Sequence, residues 1–182
     1  MKKNRILFLL FVVSFSTGSG QNADTWQVIA DSINPANYFG VTVANGMIGL
    51  VSSPEPMRVK DVVLNGVYDY YQRGRVSNIL KTFNHINMNL DVDGRRIGRK
   101  DISGYKQVLN MQTASLTTSF DVSDKVSVTH TIMALRHLPY TALALVEITA
   151  KQNTRITPMS VIEAPDHLVD IRNLYSELIV RM

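Results

Sequence analysis

The sequence has 182 residues, of which 45% are hydrophobic and 19% are charged, and it contains no cysteine. This length suits one domain of ordinary size, and the composition argues against disorder over most of the chain. The absence of cysteine excludes disulfide bonds, thiolate metal sites, a cysteine nucleophile and a lipid anchor attached to cysteine.

The formal net charge of +4 is concentrated at the start of the chain, where Lys2, Lys3 and Arg5 lie. Residues 1–20 contain no Asp or Glu, so the remainder has 16 basic and 15 acidic residues. A domain that binds nucleic acid normally carries its excess positive charge on its folded surface. The near-neutral remainder therefore argues against a nucleic-acid partner.

Residues 1–20 follow the pattern of a secretory signal peptide. A basic start is followed by the apolar run Ile6–Val13 and by small, polar residues that end at Gly20. This arrangement predicts cleavage before Gln21. The apolar run is far shorter than the roughly 20 residues that span a bilayer, which argues against a membrane anchor. We expect a periplasmic or secreted protein with no membrane association after cleavage.

The remaining chain mostly alternates apolar and polar residues, which is typical of antiparallel strands with one buried face. Asp93-Gly94 and the turn residues at 121–125 predict two hairpins. Ala142–Thr149 is apolar enough to predict a strand buried on both faces, and Pro158 favours an edge strand or a bulge. Strands are predicted at Met47–Ser52, Met57–Val63, Ile86–Val92, Ala114–Phe120, Val126–Ile132, Ala142–Thr149 and Arg155–Ile162.

The pattern as a whole predicts an all-β fold, an antiparallel β-sandwich. Residues 66–82 lack alternation and predict a long loop. Near the end of the chain, helical spacing from Ile171 to Ile179 predicts a short C-terminal helical segment. That segment either packs on the sandwich or continues into structure beyond residue 182. The residues expected in the core are Leu90, Val92, Leu116, Phe120, Val128, Ile132, Leu145, Val146 and Ile148.

No pair of carboxylates stands out as catalytic among the four Glu and eleven Asp residues. A glycosidase needs two carboxyl groups about 5–9 Å apart, one of them with a raised pKa. Glu147 suits a surface-facing strand position. Glu163 and the Asp166-His167 pair follow a strand, where loops often carry function, but a solvated turn is the favoured interpretation of Asp166-His167. We assign no catalytic residue.

No metal or cofactor is expected. The sequence has no HxH or HExxH pattern and no glycine-rich phosphate loop. His130 shares the register of Val126 and Val128, which predicts a core histidine satisfied by hydrogen bonds. The four histidines are widely spaced, at His85, His130, His137 and His167.

The most unusual cluster combines tyrosines and arginines within residues 66–82. Such side chains stack on sugar faces or form contacts between domains. A third interpretation, in which the tyrosines merely cover the sandwich, stays open. The candidate contact residues are Tyr68, Tyr70, Tyr71, Arg73 and Arg75.

The segment Val43–Leu50 (VANGMIGL) resembles the "GNGxxG" strand and turn near the start of glycoside hydrolase family 65 enzymes. The resemblance covers about residues 38–167. Asn110 and Ala114 depart from it, because the family usually has Asp and Gly at these points. Three further segments follow in the family's order, at Met88–Ile97, Tyr105–Phe120 and Val126–Ile162.

This resemblance implies that residues 21–182 form all or part of an N-terminal sandwich of the galactose-mutarotase-like supersandwich type. Family members continue through a linker into an (α/α)6 barrel, which holds the general acid and the phosphate or water site. None of the barrel's catalytic residues has a position in this chain. Residues 66–82 are the candidate for a sandwich loop that approaches the barrel's active site.

The expected function is therefore the non-catalytic N-terminal portion of a secreted enzyme that acts on α-glucosides, by hydrolysis or phosphorolysis. Its expected partners are the absent barrel domain and an α-glucoside, and the isolated chain is expected to be inactive and to form a homo-oligomer or aggregate. The alternative is a stand-alone sandwich that binds carbohydrate or another protein.

Overall fold

The computed structural model describes residues 26–69 and 78–165. Short 3-10 turns occur at Pro35–Asn37 and Arg99–Asp101. Within the described residues, no helix has the length and apolar character needed to cross a bilayer. The strands of the described residues are β1 Gln27–Ala30, β2 Thr42–Ala44, β3 Ile48–Ser52, β4 Val59–Asp69, β5 Asn78–Thr82, β6 Asn84–Val92, β7 Arg95–Arg96, β8 Ile102–Asn110, β9 Ser115–Val122, β10 Val126–Ala134, β11 Ala142–Ala150 and β12 Ile156–Glu163.

These strands form two packed layers. One layer is a five-stranded sheet in the order β1-β8-β9-β10-β11. The other combines a four-stranded sheet, β2-β3-β4-β5, with a three-stranded sheet, β12-β6-β7. Every strand pair in these sheets is antiparallel. The predicted all-β antiparallel sandwich is therefore confirmed.

Strands β9 and β10 show how the sequence directs side chains into the core. Leu116 and Phe120 alternate with half-buried hydroxyl residues along β9, and Val128 and Ile132 do the same along β10. Successive side chains in a strand point to opposite faces, so the apolar set faces the second layer. The hydroxyl set forms the opposite face of the sheet.

Two apolar clusters join the layers. The first contains residues from all three sheets, and the second lies between the three-stranded and five-stranded sheets, with Met57 from the turn before β4. The buried members of the first are Val43, Ile48, Leu50, Val59, Val62, Ile86, Leu116, Ile132 and Ala134. Those of the second are Met57, Leu90, Val92, Phe120, Val122, Val126 and Val128.

Both predicted hairpins are present. Asp93 and Gly94 have φ angles of +51° and +80° and connect β6 to β7. Two central residues with positive φ match the twist of the strands that they join. Ser123, with φ of +50°, lies in the turn between β9 and β10. Pro158 lies in β12 at the edge of its sheet, as predicted.

The prediction that Ala142–Thr149 is buried on both faces is wrong. β11 is an edge strand, and Leu145 is 50% exposed. Val146 and Ile148 are only partly buried, against the second apolar cluster. Only one face of the five-stranded sheet packs on the second layer, so an apolar composition alone did not distinguish the two faces.

The prediction of a loop over residues 66–82 is wrong at both ends. β4 continues to Asp69, β5 begins at Asn78, and Tyr68 pairs with Ile79. The register shifts between Val63 and Tyr68, which interrupts the period-two pattern in the sequence. The leader at 1–20 and the C-terminal helical segment lie outside the described residues.

Candidate functional site

The predicted tyrosine and arginine cluster begins in strand β4. Tyr68 belongs to β4, and its backbone pairs with that of Ile79. Gly66, with φ of +81°, lies in the irregular stretch just before it. The cluster's role in contacting sugar or another domain stays a prediction. Four of its members, Tyr70, Tyr71, Arg73 and Arg75, lie outside the described residues.

Asparagine side chains join the two sheets of the second layer. The backbone N–H of Val59 donates to Asn87 Oδ1 at 2.7 Å, and Asn84 Nδ2 donates to the carbonyl of Val59 at 2.6 Å. Asn84 and Asn87 are 6% and 1% exposed. Because an unpaired buried backbone group is costly, these amides substitute for the strand ladder that is missing between β4 and β6. We call Asn84, Asn87 and Val59 the asparagine seam.

Glu163 extends the asparagine seam to the surface. Its Oε2 accepts a hydrogen bond from Asn87 Nδ2 at 2.6 Å, and its Oε1 forms an ion pair with Arg58. The Arg58 guanidinium also donates to Asn89 Oδ1. The cluster therefore ties the end of β12 to β6 and to the start of β4.

In this arrangement Glu163 holds strands together, because one oxygen accepts from Arg58 and the other from Asn87. The absence of a catalytic role for Glu163 stays a prediction. Glu147 is exposed on β11 opposite Thr129, so its predicted surface position is confirmed. Asp166 and His167 lie outside the described residues. Among the described residues, no group of three acidic or histidine side chains could hold a metal ion.

A second polar cluster lies between the layers around Tyr38. Its hydroxyl lies 2.6 Å from Ser52 Oγ and donates to Gln107 Oε1 at 3.2 Å. Gln107 Nε2 in turn donates to Thr118 Oγ1 at 3.2 Å. Tyr105 lies beside this network, and burial raises the pKa of its phenol well above the usual range. These hydrogen bonds fix the phenol side chain of Tyr38.

His130 is buried, as predicted, but it is not satisfied by hydrogen bonds. It is 4% exposed, and its Nε2 has no hydrogen-bond partner among the described residues. Burial lowers the pKa of the imidazole from 6.5 to about 4. The alternation along β10 correctly predicted that His130 lies in the core. It could not predict that the surrounding described residues supply no hydrogen-bond partner to Nε2.

Tyr38, Phe39 and Tyr105 were missed as candidate site residues. A signal was present in the sequence, because Tyr38 and Phe39 follow the turn-forming run Asn34–Asn37. Turn residues next to aromatic residues indicate a loop that presents ring side chains. The approach of Tyr105 to this loop depends on sheet pairing and was not visible in the sequence.

The three antiparallel sheets and their shared core place the chain in the class of antiparallel β-sandwich domains. A family profile described as "Glycosyl hydrolase family 65, N-terminal domain" matches residues 40–170. The chain belongs to glycosyl hydrolase family 65, and the matched residues correspond to its N-terminal domain.

Two relatives are similar along nearly the whole chain. A kojibiose hydrolase from Mucilaginibacter mallensis is 48% identical over 175 residues, which cover 96% of this chain and 26% of that protein. A kojibiose hydrolase from Flavobacterium johnsoniae is 40% identical over 181 residues, which cover 98% of this chain and 26% of that protein. The chain therefore spans about a quarter of the length of these relatives.

A solved structure has the same fold. It belongs to a protein from the human microbiome that is provisionally described as a kojibiose phosphorylase. The match has a TM-score of 0.61 and 12% identity, and it covers 75% of this chain and 21% of that chain.

Proposed function

We propose that this chain is the N-terminal, non-catalytic portion of a secreted glycosidase that hydrolyses kojibiose or a related α-glucoside. The observation that carries the proposal is the 48% identity to a kojibiose hydrolase along 96% of the chain. The position of the match also supports it, because the family profile describes an N-terminal domain. The proposed role of the sandwich is to support a catalytic barrel.

The contacts of Glu163 favour a structural role for the sandwich. Glu163 is held by Arg58 and Asn87, which fix the end of β12. A rigid end of β12 suits a domain that positions the chain that follows it. Catalysis of glycoside hydrolysis needs two free carboxyl groups placed across the sugar bond, and that requirement falls to the proposed barrel.

A chimeric enzyme tests the proposal. In the kojibiose hydrolase of Mucilaginibacter mallensis, the matched quarter is replaced by residues 21–182 of this chain. We expect the chimera to release glucose from kojibiose, and we expect the same relative without that quarter to be inactive. A folded chimera with no activity on kojibiose, maltose, trehalose or nigerose would contradict the proposal.

The isolated chain provides the second measurement. Purified residues 21–182 are expected to release no glucose from the same four disaccharides, with or without phosphate. Turnover that disappears in the variant Glu163→Gln would place a catalytic group within the sandwich and overturn the non-catalytic role.

A further inference from the structure

A cleft of about 390 Å³ opens between residues 30–41 and strand β8. Its lining contains aromatic rings, amides and a hydroxyl, and none of its lining side chains is charged. The lining residues used below are Asn34, Asn37, Tyr38, Phe39, Tyr105 and Gln107. Its lining contains no residue of the asparagine seam.

Phe39 is the most exposed large apolar side chain among the described residues, at 89%. Exposing a phenyl ring to water gives up the free energy of burying it, so such a ring on an ordered loop indicates a contact surface. The loop is closely packed at Gly40, the residue after Phe39. Gly40 has φ of +78°, and a side chain there would meet the carbonyl oxygen of Ser52 at 2.6 Å.

Two phenol rings flank the cleft, and one of them is held in place. Tyr38 is held by Ser52 and Gln107, and Tyr105 lies half-buried on β8. Ring orientations fixed before a ligand arrives lower the entropy cost of binding. The cleft is therefore organised in advance by contacts within the sandwich.

Amide side chains complete the lining. Asn37 and Gln107 belong to opposite walls, one on the loop and one on β8. Gln107 is buried and already bonded to Tyr38 and Thr118, so its amide serves to fix Tyr38. The exposed amides of Asn34 and Asn37 offer both donors and acceptors, which suits a hydroxyl group that itself donates and accepts. The absence of Lys and Arg from the lining is unfavourable for phosphate, which is recognised by cationic donors.

We propose that this cleft binds a neutral mono- or disaccharide, with a pyranose ring against Phe39. A pyranose has apolar C–H faces that pack on an aromatic ring and a rim of hydroxyl groups that reach the amides. The volume lies at the lower end of the range of about 300–1,000 Å³ for small-molecule sites, which suits one or two sugar rings. Only the choice of kojibiose as a probe rests on the proposed function.

The test is a titration of the purified chain with glucose and with kojibiose, followed by amide chemical shifts. We expect saturable shifts confined to residues 30–41 and 105–107. Phe39→Ala is expected to weaken the affinity at least tenfold, and Asn37→Ala severalfold. Because Phe39 is exposed, its replacement leaves the core intact. Tyr140→Ala is the matched control, since Tyr140 is 49% exposed in another loop and should not change the affinity.

Three results would overturn the proposal. These are no saturable shift with either sugar, shifts that lie elsewhere, or an unchanged affinity in Phe39→Ala. Sedimentation of the wild-type chain and of Phe39→Ala tests whether a second copy of the chain occupies the cleft. A dimer that is lost in the variant would show that Phe39 serves self-association. The chimera assay does not depend on these residues binding sugar, so failure of the cleft and failure of the proposed function give different results.

Discussion

At the scale of single residues, His130 shows the cost of burying a titratable group without a partner. Its imidazole is 4% exposed, and burial lowers its pKa to about 4. In the unfolded chain the same group titrates near its ordinary pKa of 6.5. The unfolded state therefore binds more protons than the folded state between these two values, and stability falls as the pH falls through this range.

The corresponding prediction compares His130→Leu with the wild type. The wild-type free energy of unfolding should fall between pH 7 and about 4.5. At full protonation of the imidazole, the fall would be on the order of 3 kcal/mol. This loss of stability at low pH should be absent from the variant. Urea unfolding at several pH values measures it. Asp93 and Asp121 have pKa values lowered by hydrogen bonds from Lys125 and Ser127, so they titrate below this range.

His137→Gln is the control for this measurement, since His137 is exposed. That variant should keep the wild-type dependence on pH. Equal pH dependence in His130→Leu and the wild type would show that the imidazole gains a proton without cost in the folded state, contrary to the prediction.

At the scale of elements, β9 and β11 differ in what covers them. Leu116 in β9 is 2% exposed and packs in the first apolar cluster, whereas Leu145 in β11 is 50% exposed. Both lie in the same sheet, and both were predicted to be buried. The two leucines therefore form a matched pair that measures the contribution of the core.

Leu116→Ala is expected to lower the free energy of unfolding by about 2–5 kcal/mol, because it leaves a cavity between the layers. Leu145→Ala should change it by no more than about 0.5 kcal/mol, as is usual for surface positions. Chemical unfolding followed by circular dichroism measures both values. Equal losses in the two variants would mean that the outer face of β11 is covered in solution.

The sequence predicted strands well where one face is buried and alternation is strict, as along Val126–Ile132. It did not predict the asparagine seam, because Asn84 and Asn87 look like ordinary polar strand residues until β4 lies beside them. The cleft around Phe39 was missed for the same reason. Its walls come from a loop and from β8, and the sheet pairing brings them together. Local patterns determine which face of a strand is apolar, whereas sites depend on partners that are distant in sequence.

At the scale of the whole molecule, the sandwich is one part of the architecture proposed for a secreted enzyme. We expect export to remove residues 1–20, because a basic start, a short apolar run and small residues precede Gln21. N-terminal sequencing of the exported chain should begin at Gln21. Replacing Leu9 and Leu10 by Arg should block export, since the apolar run is then interrupted. Intact Met1 in a membrane fraction would contradict the prediction.

The topology of the second layer also sets the order in which the molecule can fold. β6 pairs with β12, and Arg58 meets Glu163 across a separation of 105 residues. Hairpins such as β9–β10 can form as soon as they are synthesised, but the three-stranded sheet lacks its edge until β12 is available. Contacts between distant segments slow folding to milliseconds or seconds. A chain that emerges with its N-terminus first, from a ribosome or a translocation channel, therefore cannot complete the three-stranded sheet until Glu163 has emerged.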